Sequence, residues 1–264
     1  MRYPVTAVAL IFVFAGCIPD LSPGPVPAAD RSPTAKELVA RGMPAPERVW
    51  TGADYLAAMA VLDALANKDA TTLPRLDSPA SGPVFARMVD EENIASVDAE
   101  PLELNEKMQH HIGVLTGSTK LLSIYAAQAR PRATFDAELV ALSAYVLAST
   151  ERLMVVTRAV VKSIPPGDPT AAKRLAGFEK MRGGLGTIVG GCLTTLTEKR
   201  LYRPEVRVRL AQSLARHLPA IYGDLVPSAQ QEITSRLATL IAQESNAPLR
   251  EAEKAIQASL ERDN

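Results

Sequence analysis

The sequence predicts an all-α fold, an antiparallel helical bundle built on three long helices with shorter flanking helices. Alanine and leucine are abundant while aromatic residues make up only 5% of the chain, a balance that favours helices over strands. No segment of useful length shows the alternation of polar and apolar residues that is typical of a strand. The 264 residues, of which 47% are hydrophobic, supply enough apolar side chains for the core of one ordinary domain.

The three long helices are predicted over about 101–129, 134–164 and 169–199, because Pro131 and the run Pro165-Pro166-Gly167 interrupt the helical pattern between them. Short connections of this kind make successive helices antiparallel neighbours. In the second helix the inward positions advance alternately by four and three residues, as in helices that pack along a seam. These positions are Phe135, Leu139, Leu142, Val146, Ser149, Leu153, Val156 and Val160, and Ser149 is the only polar one.

Shorter helices are predicted on both sides of these three. Thr51 can cap a helix that runs to about Asn67, with Asp54 three residues later as a variant capping box. Another short helix is predicted from Val84 to about Ile94. The last three are expected over about 204–224, 228–244 and 248–261, each with a proline near its start, where a missing backbone N–H costs nothing.

The N-terminus has the features of an export signal. Arg2 precedes an uncharged stretch from Val5 to Ala15, which is too short for a bilayer span of about 20 residues. The stretch ends in Phe14-Ala15-Gly16-Cys17, which resembles the lipobox of bacterial lipoproteins, although Phe14 stands where that family usually has Leu, Val or Ile. The alternative is a plain secretory signal in which Cys17 has no special role.

The resemblance covers residues 1–17 only, and it implies that Cys17 carries diacylglycerol and becomes the new N-terminus. Two or three acyl chains would anchor the protein stably to a membrane of the cell envelope. Ile18 stands where the resemblance associates Asp with inner-membrane retention, which favours the outer membrane, facing the periplasm, in a Gram-negative source. Residues 18–33 contain five prolines and predict an extended tether, so residues 34–264 remain as a single helical domain.

Two glycine-rich segments stand out inside predicted helices. Gly113 and Gly117 are four residues apart on the first long helix, and residues 183–197 of the third contain five glycines, Gly183, Gly186 and Gly190 among them. Each glycine costs a helix interior about 1 kcal/mol relative to alanine, so the absent side chains must bring some advantage. We expect either close helix crossings there or a groove for an apolar ligand or a partner helix. A membrane-inserting helix is a third alternative, for which the segment is short.

Charge is unevenly distributed although the formal net charge of the chain is zero. The stretch from Asp90 to Glu106 is acidic. A basic stretch that contains Arg200, Arg203, Arg207, Arg209 and Arg216 predicts a surface patch for anionic lipid headgroups or a partner. The alternatives are that these charges are solvated, or that the acidic and basic stretches pair with each other. Neither the net charge nor the exported location favours nucleic acid.

The sequence contains none of the common catalytic or nucleotide-binding motifs, and it predicts no metal site, no cofactor and no enzyme activity. His111 lies on the seam of the first long helix and is expected to be a hydrogen-bonded core residue. Glu151 and His217 are expected at the surface, and Cys192 is expected to be a small apolar residue of the core. A catalytic site would require polar groups that converge around His111 and Glu151.

These observations favour a non-enzymatic function. The leading prediction is a membrane-tethered envelope protein whose helical bundle binds a protein partner or supports envelope structure. The alternative is a carrier or chaperone for a small apolar or lipid ligand, held near the glycine segments. A cavity lined by these glycines would favour the carrier, and a close helix crossing would favour the partner-binding protein.

Overall fold

The computed structural model describes residues 31–129 and 135–262, and the described part of the chain is all-α, without a strand. The lipobox and most of the tether lie outside the described residues. Ten α-helices follow one another, with one turn of 3₁₀ helix at Ala70–Thr72. They are α1 (Ala35–Ala40), α2 (Gly52–Asp69), α3 (Gly82–Met88), α4 (Glu92–Ala99), α5 (Leu104–Ala129), α6 (Asp136–Lys162), α7 (Ala171–Thr197), α8 (Pro204–Tyr222), α9 (Pro227–Gln243) and α10 (Ala247–Arg262).

The prediction of three long helices is confirmed, and α5, α6 and α7 begin and end within three residues of the expected bounds. The proline signals account for this accuracy, since Pro204 and Pro227 also stand at the starts of α8 and α9. In the turn before α7, Gly167 has a φ of 82°, a conformation that a residue with a side chain rarely adopts.

The helix predicted from Val84 to Ile94 is wrong, because the structure has two helices there, α3 and α4. Side chains in the break replace helical hydrogen bonds. The carboxylate of Asp90 accepts a hydrogen bond from the backbone N–H of Glu92 at 2.9 Å. The side-chain oxygen of Asn93 accepts one from the N–H of Trp50 at 2.8 Å and thereby joins α4 to the start of α2. Asp and Asn often compete with the helix in this way.

The central helix is α6, which contributes to both hydrophobic cores of the described chain. In one core, Leu142 and Tyr145 of α6 pack with residues of α2, α3 and α5. In the other, Leu147 and Met154 of α6 pack with residues of α7, α8, α9 and α10. All eight positions of the predicted seam in α6 are buried, Ser149 included. By length and composition α6 could cross a membrane, but 72% of its most apolar window is buried inside the fold. Burial on two sides therefore accounts for the apolarity of α6.

Side-chain contacts give the directions of the helices around α6. Tyr125 near the end of α5 packs against Phe135 at the start of α6, with ring centroids 5.4 Å apart, as expected for helices that run in opposite directions. The contacts between α6 and α8 instead advance together along both helices. They join Asp136 to Arg203, Glu151 to His217 and Arg158 to Asp224. Helix α8 therefore runs in the same direction as α6, because α7 makes the return between them.

Candidate functional site

The glycines of α5 lie at a close crossing with α2. A Cβ atom added to Gly113 would lie 3.3 Å from the Cα of Gly52, and one added to Gly117 would lie 2.2 Å from the Cβ of Tyr55. Tyr55 cannot move aside easily, because it is fully buried and its hydroxyl lies 2.8 Å from the carbonyl of Met88. Gly113 and Gly117 therefore serve the packing of two helices and line no ligand groove.

Two of the glycines in α7 lie along α9. A Cβ added to Gly186 would lie 3.0 Å from the Cβ of Ala229, and one added to Gly190 would lie 3.5 Å from a guanidinium nitrogen of Arg236. The guanidinium of Arg236 also donates a hydrogen bond to the hydroxyl of Thr194 at 2.9 Å. This edge of α7 is therefore occupied by α9, and the structure does not bring the glycines of α5 and α7 together.

The remaining glycines of α7 leave room for a side chain. Gly177, Gly184 and Gly191 recur at seven-residue spacing, and a Cβ added to any of them would meet no atom of another element within 4 Å. Lys180 and Thr187 lie between them at helical spacing and are exposed. We name these five residues the α7 seam. Gly183 lies beside the seam and is equally open. The sequence analysis emphasised Gly183, Gly186 and Gly190 and missed this repeat, although the seven-residue spacing was visible.

An apolar groove lies between α5, α6 and α7. Its cavity volume is about 40 Å³, little more than the share of one water molecule in the liquid, which is about 30 Å³. Its lining includes Leu122, Leu139, Val146, Ile188 and Cys192, and Gly191 also lines it. Cys192 is buried as predicted, and burial raises the pKa of its thiol to about 12. Only one glycine of the α7 seam therefore lies near this cavity.

A larger cavity of about 290 Å³ lies where α6, α8 and α10 end. Its charged groups are Arg158 and Asp224, which form an ion pair, and Arg158 also donates to the carbonyl of Ala220 at 3.1 Å. The carbonyl of Asp224 accepts a further hydrogen bond from Arg182 at 2.7 Å. The polar groups of this cavity are thus satisfied from within the chain, and nothing there selects a ligand.

Two histidine–carboxylate pairs lie beside α6. One involves Glu151 of this helix, and the other contacts the next residue, Arg152. His111 is 1% exposed, and its Nε2 lies 3.2 Å from Oδ1 of Asp98, whose other oxygen pairs with Arg152. Burial lowers the pKa of His111, and the bond to Asp98 opposes this shift. The predicted hydrogen-bonded core histidine is therefore what the structure shows. Because the ring of His111 is buried, it is not accessible to a substrate.

The prediction that His217 lies at the surface is wrong. Its side chain is buried between α8 and α6, and its Nδ1 lies 2.6 Å from Oε2 of Glu151. Glu151 itself remains partly exposed, at 32% of its side chain. The sequence could have indicated this burial, because His217 is three residues after Leu214 and therefore lies on the buried face of α8.

Several arginines of the predicted basic patch are already neutralised. Arg207 is buried and pairs with Glu244 at 2.7 Å, and Arg203 pairs with Asp136 at the same distance. Arg216 lies 3.7 Å from Glu91, which belongs to the acidic stretch. Of the five arginines in the predicted patch, only Arg200 and Arg209 are exposed and make no ion pair with a described residue. Helix α8 therefore does not present a continuous basic surface.

The pair of Arg207 and Glu244 adjoins a third buried charge. Glu253 of α10 is 0% exposed, and neither of its carboxylate oxygens has a hydrogen-bond partner. Burial raises the pKa of Glu253 to about 7, with a further contribution from the charge of Glu244, while Arg207 and Lys199 act in the opposite direction. No three His, Cys, Asp or Glu side chains in the described ranges come together in a way that could hold a metal ion.

Comparison of the chain with protein-family models, with curated proteins and with solved structures finds no match. The function is therefore inferred from the fold and from the geometry of its surfaces.

Proposed function

We propose that this chain is a membrane-tethered protein of the bacterial envelope whose helical domain binds a partner protein along the α7 seam. The role is non-enzymatic and resides in the surface that α7 presents. The seam is the observation that carries the proposal, and the lipobox-like motif at Cys17 supports the tether.

The argument for the seam is energetic. Each glycine inside a helix costs about 1 kcal/mol relative to alanine. Close neighbours explain Gly113, Gly117 and Gly186, because a side chain there would collide with α2 or α9. Gly177, Gly184 and Gly191 have no such neighbour, so nothing within the described chain compensates for their cost. A partner that approaches the backbone of α7 closely would provide the compensation.

The geometry favours a helix as the element that docks. The three glycines repeat every seven residues, the period at which one helix follows another in a packed pair. Small residues at such positions allow two helix axes to approach closely, and the exposed Thr187 offers a hydroxyl in the middle of the seam. We therefore expect a partner helix that lies along the α7 seam.

The groove between α5, α6 and α7 favours a second candidate function, the carriage of a small apolar ligand. Its walls are apolar, but its volume of about 40 Å³ is far below the 300–1,000 Å³ or so of typical ligand pockets. A ligand of lipid size would require α5 and α7 to move apart. Partner binding needs no such movement, and we therefore place it first.

The tether predicts the behaviour of a Cys17→Ala variant. Without the thiol no diacylglycerol can be attached, so we expect the protein to leave the fraction of lipid-anchored membrane proteins. Membrane fractionation followed by release with detergent and with alkaline carbonate measures this. Cys192→Ala is the matched control, because it removes the other cysteine, which is buried. An unchanged distribution of Cys17→Ala would contradict the lipid anchor.

The seam predicts that Gly184→Leu abolishes partner binding without unfolding the domain. A Cβ atom at this position meets no atom of another element within 4 Å, the position is exposed and leucine favours the helix, so we expect an unchanged or higher melting temperature. A partner helix in close contact would be displaced. Crosslinking in the intact envelope, from a photoreactive residue at Thr187, measures the contact.

Thr239→Leu is the matched control for this experiment, because it places the same side chain on an exposed position of α9. We expect a discrete crosslinked product for the wild type and for Thr239→Leu, and none for Gly184→Leu. Equal products from all three proteins would contradict the role of the seam.

A further inference from the structure

The corner between α6 and α7 protrudes from the folded domain. Thr157 of α6 and Met181 of α7 are in contact, with Oγ1 and Sδ 3.8 Å apart. Helix α7 begins ten residues before Met181, and this segment is about 15 Å long at 1.5 Å per residue. All residues from 172 to 177 are exposed. The start of α7 therefore extends beyond the point at which the two helices pack.

The protruding corner carries an excess of positive charge in a chain of zero net charge. From Arg158 to Arg182, both included, the chain has six basic and two acidic side chains. Arg158 forms an ion pair with Asp224, and Arg182 forms one with Glu179. The carboxylate of Asp168 accepts hydrogen bonds from the backbone N–H and the hydroxyl of Thr170. Lys162, Lys173, Arg174 and Lys180 are exposed and make no ion pair with any described carboxylate. This differs from α8, where most of the arginines are paired.

Apolar side chains accompany these charges at the corner. Leu175 is 44% exposed, one of only four large hydrophobic side chains with such exposure in the described chain. Phe178 is half-buried, and the guanidinium of Arg182 lies 5.9 Å from the centre of its ring. Both continue the apolar side of α7, which is buried from Leu185 onward, past the edge of the core. A helix end with basic and apolar side chains matches the boundary between anionic headgroups and acyl chains.

We propose that this corner, formed by Lys162, Lys173, Arg174, Leu175 and Phe178, is a membrane-contact surface that binds anionic phospholipid. The inference rests on the proposed tether, which brings the domain to a membrane but does not orient it. If residues 18–33 form the extended tether that the sequence predicts, at about 3 Å per residue, the domain can approach the bilayer in many orientations. Charge then selects the face. The corner lies at the first turns of α7, so contact there leaves the middle of the α7 seam, around Gly184 and Thr187 further along the helix, free for a partner.

The experiment uses the full lipidated protein in vesicles, with an environment-sensitive fluorophore at Ala176→Cys and a headgroup-attached quencher in the lipid. Cys192 does not compete for the label, because it is buried and the pKa of its thiol is raised to about 12. A label at Ala238→Cys, on an exposed position of α9, is the control. One set of vesicles contains only zwitterionic phosphatidylcholine, and the other also contains anionic phosphatidylglycerol.

We expect quenching at residue 176 but not at residue 238, only in the anionic vesicles, and its loss at high salt. The variant Lys162→Gln/Lys173→Gln/Arg174→Gln should lower the ratio of contacting to detached domains by about a hundredfold, since each basic residue near an anionic surface contributes about fivefold. The variant Arg200→Gln/Arg209→Gln/Arg216→Gln removes the same charge from α8 and the turn before it and should have no effect.

Equal quenching at residues 176 and 238, or loss of quenching in the α8 variant alone, would overturn the proposal. Flotation of the same samples separates this failure from that of the tether. Protein that floats with the vesicles without quenching at residue 176 contradicts the membrane-contact surface alone. Protein that does not float contradicts the tether and, with it, the surface that depends on it.

Discussion

Replacing Gly117 by alanine is expected to lower the free energy of unfolding by about 2 kcal/mol or more. The added Cβ would lie 2.2 Å from the Cβ of Tyr55, which is far inside the contact distance. Tyr55 is held by its hydroxyl, which lies 2.6 Å from that of Tyr145, and by Asn93, which donates to it at 3.1 Å. Helices α2 and α5 must therefore separate, and overpacking of this kind costs about 1–3 kcal/mol or more, against a gain of up to 1 kcal/mol in helix propensity.

The same substitution at Gly183 is the control, and the expected change has the opposite sign. A Cβ there meets no neighbour, so the gain in helix propensity, up to about 1 kcal/mol, remains. Urea denaturation of Gly117→Ala, Gly183→Ala and the wild type measures both changes. Similar stabilities for the two variants would show that the crossing of α2 and α5 is looser than described.

Replacing Glu253 by glutamine is expected to stabilise the protein at neutral and alkaline pH by up to about 3 kcal/mol. Burial is the main reason that the pKa of this carboxyl rises from 4.5 to about 7, and the charge of Glu244 adds to it. Between these two values the folded state holds a proton that the unfolded chain releases. The contribution of Glu253 to the free energy of unfolding therefore falls as pH rises from about 4.5 to about 7 and then stays level, and the difference corresponds to about 3 kcal/mol.

Chemical denaturation of wild type and Glu253→Gln at about pH 5 and about pH 8 measures this effect. The two proteins should differ much more at the higher pH, because glutamine stays neutral where Glu253 ionises. Glu261→Gln changes an exposed residue of the same helix and should alter the stability by no more than about 0.5 kcal/mol. A difference between wild type and Glu253→Gln that is the same at both pH values would mean that Glu253 is not buried in its neutral form.

The helices could be predicted from the sequence because their boundaries depend on local chemistry. Proline marks the starts of α8 and α9, and Pro165, Pro166 and Gly167 mark the turn before α7. The division of residues 82–99 into α3 and α4 was missed, because in addition to the local bond between Asp90 and Glu92 it involves Asn93 and Trp50, which are 43 residues apart in the chain. Local patterns contain no information about such a partner.

The surfaces were harder to predict, since they depend on which helices cross. Gly117 and Gly183 look alike in the sequence, yet one touches Tyr55 and the other touches nothing. Arg207 belongs by type to a basic patch, but its spacing from Leu210 and Leu214 places it on the buried face of α8, where Glu244 neutralises it. Greater weight on spacing than on residue type would have identified Arg207 and His217 as buried.

Native mass spectrometry of the lipidated protein, released gently from membranes, tests the central claim that α7 binds a partner protein. For the wild type we predict a complex with a second protein and, beyond the acyl chains on Cys17, no lipid retained after release from the membrane, because the corner of α6 and α7 contacts a lipid surface and encloses no lipid molecule. For Gly184→Leu, with its melting temperature maintained, we predict the free protein. If both proteins carried an additional lipid-sized ligand and neither carried a partner, the seam would have no role and the apolar carrier would be the better account.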